Sequence, residues 1–175
     1  MKKTKQLTFS AMMAALSTVM LFLGSLLDVF DLSAVLIATV FVFVVVTELG
    51  NAWGFGTYLV CSAIAFLLLP SKLIAVEFII FGSYPVIRSI LENVNIVLRI
   101  ILKAIYMVVS TTGIMVISIY IFSSDINSYA LWLKILIFLA GIFALVLVDI
   151  FFNRFSVLYQ TKIRKMLRLD RFFKD

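Results

Sequence analysis

The chain has no histidine among its 175 residues. That absence excludes histidine acid–base catalysis, the Ser-His-Asp triad and His-ligated metals. Its single cysteine, Cys61, can form neither an intrachain disulfide nor a CxxC knuckle. Set in an apolar run, it reads as a small packing residue. Charge is also scarce, at 14% of residues against about 25% in a soluble domain. The chain carries no Walker A sequence. No nucleophile–base pair or metal set stands out, so an enzyme is the least favoured class and no cofactor is expected.

What remains is apolar. Hydrophobic residues make up 64% of the chain, and its mean hydropathy is +1.19. A soluble fold of this size has too little interior to hide that much apolar surface. The apolar runs are Leu7–Leu27, Leu32–Leu49, Ala52–Leu69, Leu73–Leu91, Val97–Phe122 and Leu131–Phe152. A membrane span needs about 20 residues, within a range of about 17–25, and each run qualifies. The expected fold is all-α, a polytopic membrane protein with a six-helix transmembrane bundle over residues 1–152. The first run exceeds the 7–15 residues or so of a signal-peptide core, and no A-x-A site follows, so it reads as a retained helix. The connections at Glu48–Ala52 and Pro70–Lys72 leave room only for tight turns. Helices two, three and four are therefore antiparallel neighbours.

Orientation follows from Lys and Arg placement. With the N-terminus inside, thirteen of the fifteen basic residues fall inside and only Lys72 and Lys134 outside. Both termini are expected in the cytoplasm of a multi-pass cell-membrane protein. Residues 153–175 read as a basic amphipathic tail. Phe155, Tyr159, Ile163, Met166 and Phe173 share a face, largely opposite Arg164, Lys165, Arg168 and Arg171. Such a tail suits the anionic inner leaflet or a cytoplasmic partner. Nucleic acid is not an expected partner, because that reading needs a solvent-exposed module.

Three polar features carry the functional argument. The first helix has two stripes of small residues, Ala11, Ala15, Thr18 and Ser25, then Ser10, Ala14, Ser17 and Gly24. Small residues at this spacing let helices approach closely, either within the bundle or against another membrane subunit. Helix four holds Glu77 about 7 Å beyond Lys72, with Gly82, Tyr84 and Pro85 at an expected kink. Glu77 either pairs with a snorkelling Lys72 or faces a cavity. Arg88 and Glu92 form an i,i+4 pair, and Glu48 and Asp149 are expected to pair with Arg88, Arg99 or Lys103. Finally, Asp28, Asp31, Lys72, Asp125, Asn127, Tyr129 and Trp132 gather on the outer side. They either cap an outward-facing pocket with Glu77 and Tyr84 or form loop polarity and an aromatic belt.

The basic start followed by Phe9-Ser10-Ala11-Met12-Met13-Ala14-Ala15-Leu16 resembles the first helix of the substrate-binding S-components of energy-coupling factor (ECF) vitamin transporters. That helix typically carries an AxxxA element, matched here by Ala11 and Ala15. Size, helix number and basic character also fit. The resemblance implies that Ala11 and Ala15 contact a transmembrane coupling subunit, itself driven by ATPases. It also implies that the outer loops close over a small, vitamin-like molecule. The competing class is a non-transport scaffold or assembly subunit.

Overall fold

The computed structural model describes residues 3–27, 31–92, 94–120 and 131–164. They form α1 (Lys3–Leu26), α2 (Asp31–Leu49), α3 (Asn51–Leu68), α4 (Lys72–Phe81), α5 (Tyr84–Leu91), α6 (Ile96–Tyr120) and α7 (Leu131–Leu158). A π-helical turn, Tyr159–Ile163, follows α7. Among the described residues six segments are long and apolar enough to cross a membrane, with α4 and α5 together making one crossing over Lys72–Leu91. The protein is thus an all-α, six-span membrane bundle. In hydrocarbon no water satisfies backbone N–H and C=O groups, so apolar runs of this length close their hydrogen bonds internally as helices.

α2 is the centre of the bundle and packs against α1, α3, α4 and α5. Its Val35, Ala38, Val42 and Val45 are fully buried. Small residues set the spacing to α1. A Cβ on Gly24 would lie 2.3 Å from Ala34 Cβ, and the Ser17 hydroxyl donates to the Ala38 carbonyl at 3.2 Å. Cys61 is buried in the main core, with its sulfur 3.6 Å from the Ala14 carbonyl. Gly50, at φ +89°, makes the tight turn into α3. α6 and α7 are the least enclosed spans, and side chains such as Ile100, Leu139 and Phe143 point outward. Lipid, as apolar as these side chains, is the solvent that accepts them.

The expected kink in helix four is a break between α4 and α5 at Gly82 and Ser83. Pro85 sits in the first turn of α5, where its missing N–H costs least. Neighbouring hydroxyls answer carbonyls at the break. Tyr58 of α3 donates to Ile79 at 2.7 Å, and Tyr106 of α6 donates to Ile80 at 2.6 Å. The break is therefore held by tertiary hydrogen bonds.

The last helix departs from the expected boundary at Phe152, because α7 continues to Leu158. Of the expected apolar face, Phe155 and Tyr159 pack on α2. Phe152, Phe155 and Tyr159 surround Phe43 at centroid distances of 5.5, 5.8 and 6.4 Å. Tyr159 donates to Glu48 at 3.1 Å, and Arg164 pairs with the same carboxylate at 3.3 Å. Met166, Arg168, Arg171 and Phe173 lie outside the described residues.

Candidate functional site

The bundle has two unlike ends. α1, α3 and α6 begin at the end that holds most of the basic residues, here called the basic end; α2 and α4 begin at the other. Glu77 lies in the half away from the basic end, on the second turn of α4. It lines a cavity of about 210 Å³ bounded by Leu32 of α2, Phe81 of α4, Thr111 and Met115 of α6, and Phe138 and Leu145 of α7. The walls are apolar because they are the inward faces of membrane-spanning runs. Glu77 is half-buried, and its Oε2 is fully buried with no hydrogen-bond partner among the described residues. Asp31, at the start of α2, is near enough for the two carboxylates to repel. Chemically the cavity offers an apolar box with one acidic hydrogen-bond acceptor, the usual composition of a small-molecule site.

Lys72 does not pair with Glu77. Its ammonium donates to the carbonyls of Phe66 at 2.8 Å and Leu69 at 3.1 Å, closing the C-terminal end of α3. Those end carbonyls have no intrahelical partners and carry the negative end of the helix dipole, so they hold a cation at short range. Arg99 does the same for α5, reaching Leu91 at 3.1 Å and Glu92 at 2.6 Å.

Tyr84 is likewise not the floor of the outer cavity. The helix break turns it toward the basic end, where its hydroxyl donates to Asp149 and its ring meets Tyr106 and Phe152. Lys103 donates to Asp149 at 2.7 Å, as expected for one of its three candidate partners. Glu48 departs from that expectation and takes Arg164 and Tyr159. The Tyr84–Asp149–Lys103 cluster joins α5, α6 and α7, and its bonds are made within the protein. It is a tie between sparsely packed helices. Trp132 is 65% exposed at the start of α7 and does not line the cavity. Asp28, Asp125, Asn127 and Tyr129 lie outside the described residues.

The two small-residue stripes of α1 separate over most of the helix, although Ser25 of the first stripe is buried as well. Ser10, Ala14, Ser17 and Gly24 are buried in the bundle, whereas Ala11 and Ala15 are exposed. Thr18 is half-buried and bonds to its own helix at the Ala14 carbonyl, 2.9 Å away. Ala11 borders a shallow groove of about 430 Å³ between α1 and α3, with Ala52 and Gly56 on the far side. Sequence reasoning found Glu77 by its charge within an apolar run. It missed Tyr58, Tyr106 and the cavity walls, because nothing in an apolar residue's identity tells which way it faces in a helix apolar all round. No known protein family, curated protein or solved structure matches this chain.

Proposed function

We propose that the chain is a non-enzymatic membrane transport subunit that binds a small, vitamin-like solute in the cavity around Glu77. Separate coupling and ATP-hydrolysing subunits would energise uptake, as the resemblance to ECF S-components implies. The observation that carries the reading is that Glu77 lines a cavity of about 210 Å³ while one of its carboxylate oxygens is buried without a partner among the described residues. A buried carboxylate oxygen without a donor is costly, and a solute N–H or O–H is a natural way to satisfy it. The exposure of Ala11 and Ala15 supports a second element of the proposal, a coupling-subunit contact on the outer face of α1. In this reading the protein resides in the cell membrane with both termini cytoplasmic, and the Glu77 cavity lies in the outer half.

The test is purification from cells followed by mass spectrometry of co-purified small molecules. A stoichiometric solute released by unfolding supports the proposal. Retention of that solute by a Glu77→Gln variant at wild-type affinity removes the site.

The α1–α3 groove favours a second reading, a scaffold subunit that docks a partner helix without transporting anything. Affinity purification separates the two. Transport predicts ATPase subunits in the complex and solute uptake in vesicles, and the scaffold reading predicts neither.

A further inference from the structure

We propose that a second cavity, at the basic end between α2, α5 and α7, binds a compact phosphate zwitterion, with the phosphate on Arg88 and an adjacent ammonium on Glu92. This site is separate from the Glu77 cavity and does not rest on the transport reading. The cavity measures about 210 Å³ and is lined by Thr47, Arg88, Ser89, Glu92, Ser156 and Gln160.

Arg88 is the reason to expect a ligand. The residue is only 5% exposed. Its Nε donates to Glu92 at 3.1 Å, and the Phe43 ring lies 5.8 Å from its guanidinium carbon. Its Nη1 is buried and has no hydrogen-bond partner among the described residues. A charged donor left unanswered in a buried setting is costly, and a guanidinium is well suited to phosphate oxygens. Ser89, Ser156 and Gln160 line the same cavity, and their side chains hydrogen-bond to no other described residue. Three further polar groups around a guanidinium suit a tetrahedral oxyacid, which presents several acceptors in different directions.

Glu92 decides against a simple anion. Its side chain is 53% exposed, and among the described residues its ion pair is with Arg88 alone. A phosphate on the Arg88 guanidinium would sit beside this carboxylate and be repelled. An ammonium attached to that phosphate turns the repulsion into attraction. Of the neighbouring charges, Lys103 pairs with Asp149 and Arg164 with Glu48, and Asp149 also lies within electrostatic reach of Arg88. Phosphoethanolamine has the required chemistry. It is available as a lipid headgroup at the membrane surface, near the end of α5, or as a free solute.

The experiment uses delipidated full-length protein in detergent, with native mass spectrometry and thermal unfolding. The probes are phosphatidylethanolamine, phosphatidylglycerol, soluble phosphoethanolamine and inorganic phosphate. An ethanolamine probe should bind at least tenfold more tightly than phosphatidylglycerol or inorganic phosphate. Binding of the lipid alone identifies a headgroup site, and equal binding of phosphoethanolamine identifies a free-solute site. Arg88→Gln should weaken binding at least tenfold. Ser156→Leu fills the cavity without touching a charge, and should abolish binding in a protein that still folds. Glu92→Gln should erase the preference for ethanolamine over glycerol. Equal binding of all phosphates, unchanged binding in Ser156→Leu, or no binding by any probe overturns the proposal.

Discussion

Replacing Glu77 by Gln keeps the side-chain shape and removes one charge from the cavity. Lys72 is committed to the carbonyls of Phe66 and Leu69, so no ion pair between Glu77 and Lys72 is lost. The substitution instead relieves repulsion from Asp31 and the desolvation of an unpartnered carboxylate oxygen. The solute-free variant should therefore unfold at the same temperature as wild type or above it. Binding should respond in the opposite direction. A hydrogen bond to a charged group contributes about 1.5–3 kcal/mol, or roughly tenfold to a hundredfold in affinity. Both quantities are measured on the same purified variant. Thermal unfolding gives stability, and titration with the solute identified by mass spectrometry gives affinity. Reduced stability with unchanged affinity would refute the reasoning, because it would mean that Glu77 has a structural partner and no solute.

The two faces of α1 should respond differently to bulk. Gly24→Val pushes a side chain into Ala34 and should cost about 1–3 kcal/mol in the isolated protein. Ala15→Leu lies on the exposed face and should change stability by less than about 0.5 kcal/mol while weakening capture of a partner subunit. Asp149→Asn leaves Lys103, a largely buried cation, without its counter-charge, and should cost about 3 kcal/mol in denaturant titrations. For topology, on a Cys61→Ser background, a cysteine at position 2 or 170 should resist an impermeant thiol reagent in intact cells, and one at position 126 should react. Labelling at position 170 would rule out the proposed orientation.

Six helices of spanning length could be read directly from composition and run length, because the bilayer imposes one requirement on every span. Each must be apolar, helical and about 20 residues long. The break in helix four was legible at Gly82 and Pro85 for the same local reason, since proline cannot continue the hydrogen-bond ladder. The Arg88–Glu92 pair follows from helical spacing alone. Partners distant in sequence were not legible. Lys72 sits five residues from Glu77, yet turns back to the exposed carbonyls of α3, because helix-end dipoles compete with carboxylates for a nearby cation. Tyr84 belongs with Asp149, 65 positions away, and Tyr159 with Glu48, 111 away. In a helix apolar around its whole circumference, no periodicity distinguishes the lipid face from the core face. The sequence by itself thus determined the membrane class, the number of spans and the candidate acid at Glu77. Tertiary packing alone decided that Glu77 borders a cavity, that Ala11 and Ala15 face outward, and that Arg88 keeps an unanswered donor.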